Sequence, residues 1–118
     1  MPKSILVADD DPEMRRLYAR LFTGSEYSIT MASSFAEASG FIASNHYDLL
    51  VTDLMLTDGL GTELIKLFNK KRAGARSMLV TGSSPMDGIL ERAGIDDYFE
   101  KPFKVEHFMA AVVERLAD

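Results

Sequence analysis

The chain has 118 residues, enough for one domain with a real core and short for two. Hydrophobic residues make up 47% and charged residues 26%, the balance of a globular protein rather than a disordered one. A formal charge of −5 argues against a domain that grips a phosphate backbone, so any direct nucleic-acid contact is expected from elsewhere. No apolar stretch is long enough to span a bilayer, and Met1-Pro2-Lys3-Ser4 opens no secretory pattern. Without cysteine there is no disulfide framework and no thiolate chemistry, and the expectation is a cytoplasmic protein without a membrane partner.

The first expected strand is Ile5-Leu6-Val7-Ala8, which runs into Asp9-Asp10-Asp11. Asp11 is an N-cap and Pro12 suits the first helical position. Met14, Leu17, Tyr18, Leu21 and Phe22 then recur at helical spacing, with Glu13, Arg15, Arg16 and Arg20 on the opposite face. Tyr27, Ile29 and Met31 alternate with Ser28 and Thr30, which predicts an edge strand. Ser33 or Ser34 can cap a second helix bearing Phe35, Ala38, Phe41 and Ile42, weakened by Ser39-Gly40 in its middle.

Asp48-Leu49-Leu50-Val51-Thr52-Asp53-Leu54 is an apolar run that ends on a carboxylate, followed by turn residues at Asp58-Gly59 and Gly61. Leu64, Ile65, Leu67 and Phe68 mark a third helix, whose basic end at Lys70, Lys71 and Arg72 complements the helix dipole. A fourth strand covers about Ser77 to Thr81, and Gly82 to Gly88 gives a loop entering a short fourth helix that reaches about Arg92. Asp97-Tyr98-Phe99-Glu100 predicts a fifth strand, stopped by Lys101-Pro102. Val105, Phe108, Met109, Val112, Val113 and Leu116 form the apolar stripe of a last helix.

Five strands alternating with five helices predict an α/β, flavodoxin-like, doubly wound (βα)5 fold in one domain over residues 1–118, with a five-stranded parallel sheet in the order 2-1-3-4-5. The carboxyl edge of such a sheet is where ligands bind. It would gather Asp9, Asp10 and Asp53, whose like charges call for a hard divalent cation such as Mg²⁺. Lys101 adds an ammonium and Thr81 a hydroxyl, a set suited to receiving a phosphoryl group on Asp53. Each residue alone has a plainer reading. Asp9 to Asp11 could be a solvated loop and cap, Asp53 a surface acid, Thr81 a strand terminus and Lys101 a solvated lysine. Their placement on different strands at one edge is what favours a site.

At this point the chain resembles the receiver domain of bacterial two-component response regulators, the CheY-like family, over essentially its whole length. The matching stretches are Ile5 to Asp11, Asp53 with Gly61 eight residues later, Val80-Thr81-Gly82, and Asp97-Tyr98-Phe99-Glu100-Lys101-Pro102-Phe103. The resemblance implies that Asp53 is the phosphoacceptor, served by a sensor histidine kinase or histidine phosphotransfer protein. It implies that Asp10 and Asp9 hold Mg²⁺ (Mn²⁺ being an alternative), directly and through water respectively, together with Asp53 and the Met55 backbone carbonyl. Thr81 becomes the switch hydroxyl, Tyr98 the switch aromatic and Lys101 the phosphoryl-pairing lysine, with Lys101-Pro102 typically cis. The implied signal leaves through the fourth-helix, fifth-strand and fifth-helix face, with Met86, Ile89, Arg92, Asp97, Tyr98 and His107 as its surface. It passes to a downstream output domain or protein, or to a phosphorylation-dependent homodimer.

Three departures stand out. Thr57 occupies a position usually held by proline, Gly82 one where alanine is commoner, and Gly88 falls inside the expected fourth helix, which is therefore expected to sample several conformations. Met55 and Ser83 hold the positions that tune dephosphorylation in the family. Two other functions compete. One is a pseudo-receiver that binds proteins without being phosphorylated. The other is an aspartyl-nucleophile phosphatase of the haloacid-dehalogenase type, suggested by Asp53-Leu54-Met55-Leu56-Thr57. That motif needs an acid at position 55, and methionine cannot transfer a proton.

Overall fold

The structure, a computed structural model, describes residues 2–72, 74–82 and 98–117. In chain order the elements are β1 (Ser4–Ala8), α1 (Pro12–Phe22), β2 (Ser28–Ala32), α2 (Phe35–Ser44), β3 (Leu49–Asp53), β4 (Met55–Leu56), β5 (Gly59–Leu60), α3 (Gly61–Lys71), β6 (Arg76–Thr81), β7 (Phe99–Glu100) and α4 (Val105–Leu116). The main sheet runs β2-β1-β3-β6-β7 and all its pairings are parallel. With the small β4-β5 hairpin set aside, this is the expected order 2-1-3-4-5, and the fold is α/β and flavodoxin-like. The expected fourth helix and the loop entering it, with Ser83, Met86, Gly88, Ile89 and Arg92, and Asp97 at the expected start of the fifth strand, lie outside the described residues.

A central parallel strand is buried on both faces, so its side chains alternate between two cores. Leu6, Ala8, Leu50 and Leu79 pack with Ala38, Ile42, Leu64, Ile65 and Phe68 of α2 and α3. Ile5, Val7, Leu49, Val51, Met78 and Val80 pack on the other side with Tyr18 and Phe22 of α1 and Phe108, Val112 and Leu116 of α4. The second core is rich in rings: Phe103 stacks on Phe108 at 4.6 Å between centroids, and Tyr18 lies 5.7 Å from Phe108.

Local chemistry explains most boundaries. Asp11 accepts the Glu13 amide at 2.9 Å and Pro12 opens α1. At α2 it is Ser34 that caps, accepting the Glu37 amide at 3.0 Å, while Glu37 reaches back to the Ser33 amide at 2.7 Å. Gly40 does not interrupt α2, because neither Ser39 nor Gly40 is asked to fill the core; Ala38 and Ile42 do that.

Several expectations are corrected. The apolar stripe of the last helix is narrower than its composition suggests, because Val105 and Val113 are exposed beside buried Phe108, Val112 and Leu116. Leu67 is likewise exposed on α3, one residue short of the inward-facing Phe68. The last strand is only Phe99–Glu100, so Tyr98 precedes it rather than belonging to it. The β4-β5 hairpin, with Met55 opposite Leu60 and Leu56 opposite Gly59, replaces an expected plain loop. Gly61 is the first residue of α3 rather than a turn residue, and Leu60 before it offers no side-chain cap.

Candidate functional site

Register brings the acids together. Ala8 pairs with Thr52 across β1 and β3, so the next residues, Asp9 and Asp53, leave the sheet side by side. Asp53 in turn pairs with Val80, which puts Thr81 at the same edge on β6. Thr81 pairs with Glu100 on β7, and its carbonyl accepts the Lys101 amide at 2.8 Å. Three parallel strand pairings therefore bring Asp9, Asp53, Thr81 and Lys101 to one edge.

Lys101 is the hub. Its Nζ donates to Asp9 Oδ2 at 3.0 Å and to Asp53 Oδ2 at 3.1 Å. The lysine and Asp53 side chains are mostly buried, and that of Asp9 is 1% exposed. Asp10 is half-buried, and one oxygen from each of Asp9, Asp10 and Asp53 lies within 4.8 Å of the others. Three carboxylates against one ammonium leave two negative charges at this edge when all are ionised. That deficit, on hard oxygen donors only, fits a divalent cation such as Mg²⁺, with Asp9, Asp10 and Asp53 as the residues able to hold it.

The electrostatics point the same way. Burial pushes Asp9 above the ordinary carboxylate range, while the Asp11 amide, accepted by Oδ1 at 2.9 Å, and Lys101 pull it down without cancelling the effect. For Lys101, burial acts downward, and the hydrogen bond and charge of Asp9, followed by those of Asp53, outweigh it and raise the ammonium's affinity for its proton. Lys101 is thus held cationic between its two acids.

The remaining expected residues fall around this core. Thr81 is buried. Tyr98 is half-buried and packs against the core shared by α2 and α3. The Met55 amide lies 3.4 Å from Asp53 Oδ1, and its side chain is 57% exposed beside the acid. The Lys101-Pro102 bond is cis. His107 is an exposed residue of α4. His46 stands apart from the site and pairs with Asp48 Oδ1 at 3.3 Å.

Two residues belong here that the sequence pattern conceals. Arg15 falls on the polar face of α1 by spacing, yet its guanidinium donates to the Asp9 carbonyl at 2.8 Å and braces the strand end. Thr52 is fully buried, and its hydroxyl donates to the Asp53 carbonyl at 3.0 Å. Gly61 shows why no side chain is allowed eight residues after Asp53. A Cβ there would stand 2.0 Å from the Asp53 carbonyl oxygen, and the Gly61 amide donates to the Leu54 carbonyl at 2.8 Å.

Comparison with known proteins agrees with this geometry. The family model described as "Response regulator receiver domain" matches residues 5–113. The response regulator MprA of Mycobacterium sp. strain KMS is 33% identical over 93% of this chain and 49% of its own. The chain thus spans about half the length of that curated relative. Among solved structures, a CheY-like response regulator receiver domain protein from Methanospirillum hungatei JF-1 superposes with a TM-score of 0.89 at 27% identity, covering 98% of this chain and 94% of that one. The BeF3-activated receiver domain of DrrB gives 0.85 at 25% identity, with both chains covered completely. A family match across nearly the whole chain, on a sheet whose carboxyl edge gathers three acids around a lysine, leaves one assignment: the chain belongs to the response regulator receiver domain family of two-component signalling.

Proposed function

We propose that residues 1–118 act as a single phosphoacceptor unit in which Asp53 receives a phosphoryl group from a phosphohistidine on a sensor histidine kinase or phosphotransfer protein. A carboxylate oxygen of Asp53 forms the new bond to phosphorus as the bond from phosphorus to the donor nitrogen breaks, and the electron pair leaves with the imidazole. Lys101, already held at 3.1 Å from Asp53 Oδ2, pairs with the phosphoryl oxygens and offsets the charge that arrives. Asp9 and Asp10, with Asp53 and the Met55 carbonyl, would hold Mg²⁺ or Mn²⁺. When bound, that ion neutralises charge on the phosphoryl oxygens and helps orient them. The observation that carries the reading is the Lys101 bridge between buried Asp9 and Asp53 with Asp10 beside them.

The consequence of phosphorylation is a switch. Thr81 draws onto the phosphoryl group and Tyr98 repacks behind it, which changes the face formed by β7 and α4. That face then engages an output domain, a separate protein or a second copy of the chain. The domain itself signals rather than turning over a substrate, in the cytoplasm, and makes no nucleic-acid contact of its own. The BeF3-activated DrrB receiver supports the reading, since its fold and length match this chain throughout.

Incubation with a small acyl phosphate and Mg²⁺, followed by intact mass, tests the proposal. A gain of one phosphoryl group is expected, lost in Asp53→Ala and in excess chelator. A wild-type chain that gains nothing is a pseudo-receiver, and turnover of a generic phosphomonoester would restore the phosphatase reading.

A further inference from the structure

The β4-β5 hairpin carries Met55, whose carbonyl the proposed ion site uses, and it begins two residues after Asp53. It is a pair of two-residue strands, Met55–Leu56 and Gly59–Leu60, and an isolated hairpin of that length does not hold its shape in water. Its base is fixed by the Leu54 amide on the Val80 carbonyl at 3.1 Å and the Gly61 amide on the Leu54 carbonyl at 2.8 Å. Leu56 of β4 is buried in the core, and beyond it the tip is tied by the Asp58 side chain. The Asp58 carboxylate reaches across to the first turn of α2, where Oδ1 accepts the Phe35 amide at 2.7 Å and Oδ2 the Ala36 amide at 3.0 Å.

This double contact does not exist to start the helix. α2 has its own N-cap in Ser34, whose hydroxyl takes the Glu37 amide at 3.0 Å, and the Ala38 amide already bonds the Ser34 carbonyl at 3.0 Å. Asp58 takes the remaining two donors of the first turn, so the set is completed from a segment more than twenty residues away. The helix gains partners for two first-turn donors, and the hairpin gains an anchor on a rigid element. Gly59 follows Asp58 for a matching reason: a Cβ there would stand 2.7 Å from the Phe35 ring. The hairpin tip thus sits flush on the start of α2, and bonding to two amides holds the Asp58 carboxyl below its ordinary range.

We propose that Asp58 is a positioning residue, whose bidentate hold on α2 fixes the β4-β5 hairpin and thereby sets the Met55 carbonyl and the Asp53 carboxylate at ion-binding geometry. The inference rests on the proposed reading that this edge binds Mg²⁺. It adds a second consequence: displacement of the α2 N-terminus, by a partner or a mutation, is felt at the ion site through Asp58.

The test compares wild type with Asp58→Ala and Asp58→Asn, the latter keeping one acceptor oxygen. Amide hydrogen exchange is measured without metal, and Mg²⁺ affinity by calorimetric titration. Asp58→Ala is expected to speed exchange at Met55–Leu60 while the amides of Ala38 to Ser44 stay protected. It should also weaken Mg²⁺ binding by at least about threefold, toward the roughly 10–100-fold typical of losing a group that orients a metal ligand. Asp58→Asn keeps one acceptor but turns a donor toward the second amide, and is expected to fall between wild type and Asp58→Ala in both. Unchanged exchange at the hairpin, or faster exchange with unchanged Mg²⁺ affinity, overturns the positioning role. If wild type itself fails to bind Mg²⁺, the ion-site reading falls and the positioning role falls with it. The exchange data then report only whether the tether holds the hairpin.

Discussion

Met55 and Gly61 both follow Asp53 on the chain and constrain it in opposite ways. Gly61 is needed for what it lacks. With its Cβ position 2.0 Å from the Asp53 carbonyl oxygen and 3.1 Å from the Thr52 hydroxyl, any side chain must push β3 and the start of α3 apart. The obstacle is backbone, which cannot rotate away. Gly61→Ala is expected to lower stability by about 1–3 kcal/mol, the usual range for overpacking a tight site. Thermal denaturation checks this, and an unchanged midpoint would contradict the close approach. Met55 acts by presence. Its side chain is more than half exposed next to Asp53 and would shield a phosphoryl group from water approaching in line. Met55→Asn replaces that shield with a group able to hold water, so a shorter phosphoryl lifetime is expected by intact mass over time. An unchanged or longer lifetime would count against it.

At the scale of elements, the two ends of the sheet are built differently. The carboxyl end holds the acids around Lys101. The amino end is tied by Asp48, whose Oδ2 accepts the Ser4 amide at 2.8 Å and whose Oδ1 meets Arg72 at 3.1 Å and His46 at 3.3 Å. One side chain therefore joins the start of β1, the entry to β3 and the end of α3. Burial works upward on Asp48, but the Ser4 amide, Arg72 and His46 outweigh it and lower the carboxyl from 3.8 to about 2. A depressed carboxylate contributes stability that is present in full above 3.8 and is lost as pH falls through about 2. The melting temperature of Asp48→Asn should fall below that of wild type at pH 5 to 7, and the gap should close as pH approaches about 2. A gap independent of pH would mean that the charge of Asp48 does not matter.

The same scale shows what the sequence could and could not reveal. Strands β1, β3 and β6 were legible because a strand covered on both faces needs an unbroken apolar run, and their order followed from the alternating, edge-like β2. The site was legible because each acid or donor ends such a run: Asp9 after Ala8, Asp53 after Thr52, Thr81 after Val80. The hairpin was not, since two-residue strands have no periodicity and Thr57-Asp58-Gly59 reads as any turn. Asp58 and Arg15 were hidden for a related reason. Each works through an atom of a distant or helical neighbour, a relation that exists only after folding. Val105 and Val113 misled in the other direction, because apolar identity marks residues that can be buried without fixing the angle at which a helix meets its sheet.

For the whole molecule, the question is whether one phosphoryl group suffices to switch it. A charge-assisted hydrogen bond from Thr81 contributes about 1.5–3 kcal/mol. Moving an equilibrium from 1:99 to 99:1 requires about 5.5 kcal/mol. On the proposed function, the difference would come from Lys101, a bound ion, repacking of half-buried Tyr98 and a partner that captures the active form. Phosphorylation would then give a graded bias completed by binding rather than a switch thrown by one contact.

All of this depends on where the phosphoryl group goes. An acyl phosphate reacts with hydroxylamine at its carbonyl carbon, which releases phosphate and leaves a hydroxamate on the side chain that carried it. The chain should be treated with acyl phosphate and Mg²⁺, trapped with hydroxylamine, and mapped by peptide mass. A hydroxamate on Asp53 alone is expected. A hydroxamate on Asp9 or Asp10, or a phosphoryl group that survives hydroxylamine on another residue type, would contradict it.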